Sequence, residues 1–282
     1  MVSSSSSSVE QARRSLADRL AEIRRDAGLT GKVLAERLGW YPSKVSRIER
    51  ARTAPAVEDV QAWCTACGAD DQAGDLVAAL RAVEGMFVEW RRMERTGLHR
   101  AQVAVRPIFE RTSRFRSYSS WFVPGLIQSR AYTEAVLRAV QRRRVEVDDV
   151  PAAVAARMER QQVLYKPGKI FAFLLEESVL RSGIGGRDVM AGQLGHLITL
   201  GAHANISLGI IPARPDRTRM PVEGFWIFDS DQVNVELVSG YLTITQPHEI
   251  GQYGATFAEL ADHAVYGTAA RSLLTDAIQR LG

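Results

Sequence analysis

Residues 29–50 read LTGKVLAERLGWYPSKVSRIER, and this stretch decides the fold of the N-terminal region. Thr30 is a favourable N-cap for a short helix. Pro42 suits the first turn of a second helix, because its missing N–H is not needed there. Val45 and Ile48 lie three positions apart and form one buried stripe on that second helix. The stretch therefore predicts two short helices joined by a tight turn.

When the apolar stripe of the second helix faces the core, the Lys, Arg and Ser side chains of that helix point to solvent. Lys and Arg bind guanine O6 and N7 or phosphate, and Ser binds base edges or phosphate oxygens. At the start of the first helix, Thr30 and Lys32 are placed to hold a phosphate against the helix dipole. The predicted DNA-binding residues are Thr30, Lys32, Ser43, Lys44, Ser46, Arg47 and Arg50. An ordinary solvated basic helix would show the same periodicity, so the pattern alone leaves both interpretations open.

A compact helical unit extends outward from this pair. Leu16 and Leu20 begin an amphipathic stripe before it, and a further apolar stripe follows it. We predict an all-α helix-turn-helix DNA-binding domain over residues 11–68. The serine-rich residues 1–10 predict a disordered leader, and residues 69–97 predict a connector helix.

Residues 98–282 show a different pattern, in which apolar or alternating segments are separated by helical ones. The predicted strands are 115–123, 170–175, 206–211, 225–228, 233–238 and 241–245. The Ser239-Gly240 pair is typical of a hairpin turn. We therefore predict an α+β partner- or effector-binding and dimerisation domain with a mostly antiparallel sheet, which makes the whole chain α+β.

Positive charge is concentrated near the N-terminus of this chain of 282 residues, whose net charge is +4. Residues 1–56 hold eleven Lys and Arg against six Asp and Glu, whereas residues 57–282 hold 25 against 26. The asymmetry favours an anionic partner for the first region. The near-neutral remainder favours a protein or a small molecule. No apolar run approaches the roughly 20 residues that a membrane helix needs, and no signal peptide is recognisable, so we expect a cytoplasmic protein without a membrane partner.

The run Leu29–Gly39, followed by Ser43–Glu49, resembles the Cro/phage-repressor type of helix-turn-helix. The resemblance implies binding to a double-stranded DNA operator. It also implies a structural ion pair between Arg24, at the end of the first helix, and Glu49, at the end of the recognition helix. The sequence departs from the family at Gly31, where the family usually has a Gln that contacts DNA.

Eight further segments extend the resemblance over nearly the whole chain. They are AWCTACGADDQ (62–72), FVEWRRMERTGL (87–98), RFRSYSSWFVPGLIQ (114–128), AARMERQQVLY (155–165), FAFLLEESVLR (171–181), GQLGHL (192–197), LGIIP (208–212) and TQPHE (245–249). Together they resemble an actinobacterial family of antitoxin-like regulators, in which the helix-turn-helix precedes an uncharacterised C-terminal domain. The resemblance implies a transcriptional regulator, which we expect to be a repressor, and members of the family are often encoded beside a very small acidic partner protein. An excess of Arg over Lys, 32 against 4, suits a high-GC genome.

Two groups of residues invite a metal or redox interpretation. Cys64 and Cys67 form C-x-x-C, but a structural zinc site needs four ligands and the chain has no other Cys. We predict helical thiols that pack the core. His196 and His203 lie seven positions apart, too far to hold one metal without a third ligand, and we predict core or surface roles. No metal and no cofactor are expected.

Two other groups invite a catalytic or ligand-binding interpretation. Glu176 and Glu177 end a strand, where neighbouring side chains point to opposite faces, so we predict an ion pair with an arginine. An aromatic set either lines a ligand pocket or forms plain core: Tyr118, Trp121, Phe122, Phe225, Trp226 and Tyr241. No convergent catalytic set is recognisable in the sequence, and we expect a protein that is not an enzyme.

The sequence thus predicts a sequence-specific regulator that binds DNA as a homodimer, since one helix-turn-helix buries little surface. Its C-terminal domain is expected to bind a small partner protein. The main competing interpretation is a one-component sensor, whose C-terminal domain holds a small-molecule ligand. An enzyme that only autoregulates its gene is a second competing interpretation, and an antitoxin whose DNA binding is secondary is a third.

Overall fold

A computed structural model of the chain describes residues 7–89, 97–213, 217–238 and 240–281. The chain divides into two compact units, Met1–Val88 and Glu89–Gly282.

The first unit is helical. Its helices are α1 (Ser7–Asp26), α2 (Gly31–Leu38), α3 (Pro42–Glu49), α4 (Val57–Cys67) and α5 (Ala73–Met86). The core side chains Leu20, Leu34, Val45, Ile48 and Trp63 are each less than 2% exposed. The indole N–H of Trp63 donates to the backbone carbonyl of Leu20 at 3.0 Å, which ties α4 to α1. The apolar stripes read from the sequence therefore meet in one core.

The ends of this unit differ from the expected segment boundaries. Helix α1 begins at Ser7, inside the predicted leader, and residues 1–6 lie outside the described part of the chain. In the predicted connector, α5 packs against α1 and α4, and its Leu76 and Leu80 are buried. This helix thus completes the core of the first unit. A short strand, β1 (Phe87–Glu89), follows it, and residues 90–96 are not among those described.

The second unit combines a mixed sheet with helices. Its strands are β2 (Arg114–Ser119), β3 (Ile170–Glu176), β4 (Ile206–Ile211), β5 (Phe225–Phe228), β6 (Gln232–Glu236) and β7 (Gly240–Ile244). They lie in the order β7-β6-β5-β2-β3-β4. The pairs β2–β3 and β3–β4 are parallel, and the other three pairs are antiparallel. This confirms an α+β fold with a mostly antiparallel sheet.

Seven helices accompany these strands in the described residues. They are α6 (Leu98–Ala104), α7 (Arg106–Arg111), α8 (Arg130–Arg144), α9 (Val150–Gln161), α10 (Arg187–Leu200), α11 (Pro247–Asp262) and α12 (Gly267–Leu281). Strand β3 is apolar from Ile170 to Leu175 because it lies between two parallel neighbours with both faces covered. Phe173 and Leu174, which point to opposite faces, are both buried.

Two predicted strands are longer than the observed ones. The strand expected over 115–123 ends at Ser119, whose hydroxyl donates to the carbonyl of Phe122 at 2.6 Å and folds the chain into a tight turn. The strand expected over 233–238 ends at Glu236. Ser239, half of the predicted hairpin turn, lies outside the described residues.

Candidate nucleic-acid interface

The ends of α1 and α3 are joined by the ion pair that the family resemblance implies. Arg24 Nε donates to Glu49 Oε1 at 2.5 Å, and Arg24 Nη1 donates to the carbonyl of Leu29 at 2.6 Å. The two charged side chains are only 14% and 18% exposed. A charge-assisted bond with so little solvent around it is stronger than a surface ion pair. The pair therefore fixes the orientation of α3 within the domain.

Helix α3 presents one polar face to solvent. Its Val45 and Ile48 point into the core, each 1% exposed. Ser43, Arg47 and Arg50 are exposed as a result. The outward placement follows from the helical period of 3.6 residues, which leaves these positions away from the apolar stripe. An exposed helix face of hydroxyls and guanidiniums is suited to the major groove of DNA.

Ser46 and Lys44 occupy the border of this face. Ser46 is half-buried. The ammonium of Lys44 donates to Asp59 Oδ1 at 2.6 Å and lies 3.9 Å from the ring centroid of Trp40. Lys44 is thus engaged within the domain, and a DNA contact from it has to compete with Asp59. Its role as a base-reading residue stays a prediction.

The N-terminus of α2 carries the other predicted DNA contacts of the motif, Thr30 and Lys32. Thr30 caps the helix, because its hydroxyl accepts a hydrogen bond from the Val33 N–H at 3.3 Å. Thr30 and Lys32 are both exposed, as a phosphate contact requires. At Gly31 an added Cβ would meet only Val45 Cγ1, at an ordinary 3.5 Å. The fold therefore accommodates a Cβ atom at this position without a clash.

Sequence reasoning missed Tyr41 as a candidate for DNA contact. Tyr41 is the N-cap residue of α3, and its side chain makes no capping hydrogen bond. It is 82% exposed, although a tyrosine side chain is largely apolar. The sequence signal that could have found it is its position directly before Pro42, the first residue of α3. This position places Tyr41 at the N-terminal end of the helix.

The C-x-x-C pair lies within α4, as predicted. Cys64 is buried and Cys67 is half-buried, and both are free thiols. Burial raises the pKa of both thiols above its ordinary value. A raised pKa lowers the fraction of reactive thiolate. Across the described residues, no group of three or more His, Cys, Asp and Glu side chains is arranged to hold a metal ion.

The histidines of α10 and its following turn do not converge. The ring of His196 is buried enough to lower its pKa below the ordinary value. His203 instead packs edge-on against Tyr165, with 5.6 Å between ring centroids. Both histidines are half-buried, so neither lies wholly in the core or at the surface.

The two carboxylates at the end of β3 are held in separate ion pairs. Glu176 is buried and accepts two hydrogen bonds from Arg217, at 2.6 and 2.7 Å, and one from Tyr118 at 2.7 Å. Burial and the bond to Glu176 raise the pKa of the Tyr118 hydroxyl. Glu177 pairs with Arg181 at 2.5 Å. The predicted arginine partners are therefore present, one for each carboxylate.

The aromatic set divides between core and cavity. Tyr118 and Phe225 are each 1% exposed and belong to the core, and Trp121 is 46% exposed. Phe122, Trp226 and Tyr241 line a cavity of about 200 Å³ within the second unit. Two members are thus core, three line a cavity and Trp121 is largely exposed, while the binding of a ligand there stays a prediction.

Comparison with known proteins agrees with this division of the chain. Residues 15–80 match a family model described as a helix-turn-helix domain, and residues 109–276 match one described as a domain of unknown function (DUF5753). A search of curated proteins finds no match. In the described residues, no helix is long and apolar enough to cross a membrane. Because the second match covers more than half of the chain, the protein belongs to the DUF5753 domain family, and its N-terminal helix-turn-helix domain indicates a DNA-binding regulator.

Proposed function

We propose that this protein is a sequence-specific transcriptional regulator that binds its operator as a homodimer. The observation that carries the proposal is the exposed face of α3, with Ser43, Arg47 and Arg50 outward and Val45 and Ile48 in the core. These side chains offer base-edge and phosphate contacts together. A DNA partner also supports a cytoplasmic location.

Selection from a random pool of DNA duplexes tests the DNA-binding part of the proposal. With the full chain as bait, we expect enrichment of a motif repeated in two half-sites about 34 Å apart, one helical turn of DNA, because a dimer presents two recognition helices. Affinity for the enriched duplex is expected to fall steeply with salt, since phosphate contacts release counterions. A pool carried through without protein is the control. Recovered duplexes that share no motif would contradict sequence-specific binding.

The C-terminal domain is the proposed regulatory part. Residues 57–282, which include this domain, hold 25 Lys and Arg against 26 Asp and Glu, a balance that favours a protein or a small molecule over nucleic acid as its partner. The family resemblance supports a small acidic protein encoded nearby, and with it an actinobacterial, antitoxin-like repressor. Glu176 and Glu177 are an acidic pair of the type that can serve as general acid and base, but each carboxylate is held in an ion pair with an arginine. We therefore propose a regulatory rather than a catalytic role.

Co-purification of the tagged full chain from its native host tests the partner proposal. We expect a small acidic protein in the eluate, and we expect it to remain when Arg47 is replaced by alanine, because the partner binds the C-terminal domain. An untagged strain is the control. An eluate that lacks such a protein, or that loses it with the Arg47→Ala change, would contradict the proposed partner site.

A one-component sensor is the second candidate function. The cavity lined by Phe122, Trp226 and Tyr241 favours it, because small-molecule sites are concave and mostly apolar with a few placed polar groups. In a sensor of this kind, the ligand in the C-terminal domain takes the role of the partner protein.

A further inference from the structure

The cavity of the second unit has an apolar wall on most of its sides. Aromatic side chains of the sheet and its turns contribute Trp226, Phe228 and Phe122, and helix α8 contributes Leu137 and Val140. Its volume of about 200 Å³ exceeds that of an engineered cavity of about 150 Å³ that holds benzene. A compact molecule with a ring-sized apolar body therefore fits the space.

Two arginines of α9 interrupt this apolar wall. Arg157 and Arg160 lie three positions apart, so both point to the same side of the helix. Arg157 donates from Nε to Gln102 Oε1 at 3.0 Å and from Nη1 to Gln128 Oε1 at 2.8 Å. Arg160 donates from Nη1 to the carbonyl of Gln102 at 3.1 Å. These acceptors are neutral oxygens, which orient the guanidiniums without neutralising them.

The second arginine, Arg160, also contacts an aromatic ring. Arg160 Cζ lies 5.0 Å from the ring centroid of Phe109, within the range of a cation–π contact. Its Nε atom is buried and has no hydrogen-bond partner among the described residues. An arginine carries five N–H donors, so donors remain for a bound acceptor. The contacts of Arg160 thus hold its guanidinium in place at the cavity wall, while some of its N–H groups remain to donate to a ligand.

Burial disfavours the charge of both guanidiniums. It lowers the pKa of Arg160 to about 9 and that of Arg157 to about 10, and the proximity of Arg157 lowers that of Arg160 further. Glu236 lines the same cavity and acts in the opposite direction on both. Among the described lining residues, two cations face one carboxylate, so their formal charges sum to a positive value. A bound anion would compensate it in a medium where charges interact strongly.

We propose that this cavity is a binding site for a compact carboxylic acid with an apolar, ring-sized body. The carboxylate binds the guanidiniums of Arg157 and Arg160, whose planar donor groups match its two oxygens. The apolar body packs against Trp226, Phe122 and Leu137. The proposal concerns binding alone, so it holds or fails independently of any DNA operator or partner protein.

Calorimetric titration of the full chain with matched probes tests the charge preference. The probes are 1-naphthoate, the neutral 1-naphthamide and the cationic 1-naphthylmethylamine, which share one ring system. We expect 1-naphthoate to bind at least about tenfold more tightly than the amide, since a charge-assisted hydrogen bond is roughly twice as strong as a neutral one. The amine is expected not to bind. Equal binding of acid and amide, or no binding of the acid up to about 5 mM, a free energy near −3 kcal/mol, overturns the proposal.

Variants assign the site to the cavity. Arg160→Gln is expected to weaken the affinity for 1-naphthoate at least about tenfold. The affinity for 1-naphthamide is expected to change by less than about threefold, because only the charged contact is lost. Arg271→Gln is the matched control, since Arg271 lines a separate depression between α10 and α12. If the Arg160→Gln protein binds 1-naphthoate as tightly as the wild type does, the proposal is overturned.

A second variant keeps the test decisive if Arg160→Gln folds poorly. Ala101 lies on the cavity wall and is 3% exposed. Ala101→Leu retains both arginines and fills part of the space, so it is expected to weaken both acid and amide without lowering the melting temperature. Wild-type affinity for 1-naphthoate in a folded Ala101→Leu protein would also overturn the proposal, because the ligand would then lie elsewhere.

Discussion

Arg47→Ala is expected to abolish the preference of the protein for its operator while the domain stays folded. Arg47 is exposed on the outer face of α3, away from the buried Val45 and Ile48. A bidentate contact from arginine to guanine discriminates against a wrong base by about 1–3 kcal/mol, which is roughly a factor of 5 to 150 in affinity. Since the side chain is exposed, its loss is expected to change the free energy of unfolding by no more than about 0.5 kcal/mol.

Gel-shift titration of operator and scrambled duplexes measures this loss. For Arg47→Ala, we expect the two affinities to converge. Lys32→Ala, at a predicted phosphate contact, is expected to weaken both duplexes alike and to reduce the salt slope by about 1. Arg25→Ala changes an exposed arginine at the end of α1 and serves as the control. An Arg47→Ala protein that retains the wild-type ratio of affinities would show that α3 is not the reading helix.

Glu49→Ala is expected to destabilise the helix-turn-helix domain. The change leaves the guanidinium of Arg24, 14% exposed, without its carboxylate. A hydrogen bond to a charged group contributes about 1.5–3 kcal/mol, and removing one partner also leaves the other poorly solvated. We therefore expect a loss of about 2 kcal/mol in the free energy of unfolding. The remaining bond from Arg24 to the Leu29 carbonyl limits the loss.

Denaturant unfolding and calorimetry of the full chain measure this change. Glu22→Ala is the matched control, because Glu22 pairs with Arg19 while both side chains are about half exposed, at 50% and 47%. An exposed pair of that kind contributes at most about 1 kcal/mol. A double-mutant cycle with Arg24→Ala isolates the coupling between Arg24 and Glu49. Equal stability of Glu49→Ala and wild type would show that the pair does not hold α3 in place.

Much of the first unit could be predicted because its signals are local. The burial of Val45 and Ile48 follows from helical periodicity, and the outward direction of Arg47 follows from that burial. The engagement of Lys44 could not be predicted, because Asp59 comes from another helix and meets Lys44 only in the folded domain. That helix α5 completes the core of the first unit depends likewise on its packing against α1, which is distant in sequence.

In the second unit, local sequence patterns were sufficient to predict the strands, the α+β class and the apolar run 170–175 of β3, but not the helices α6 and α7. It left open whether the aromatic side chains formed core or a pocket. Only the tertiary structure decided that Trp226 faces a cavity with Arg157 and Arg160, while Phe225, one position away, is buried in the core. The physical reason is that periodicity gives the face on which a side chain lies, whereas a cavity depends on how well distant elements fill the space between them.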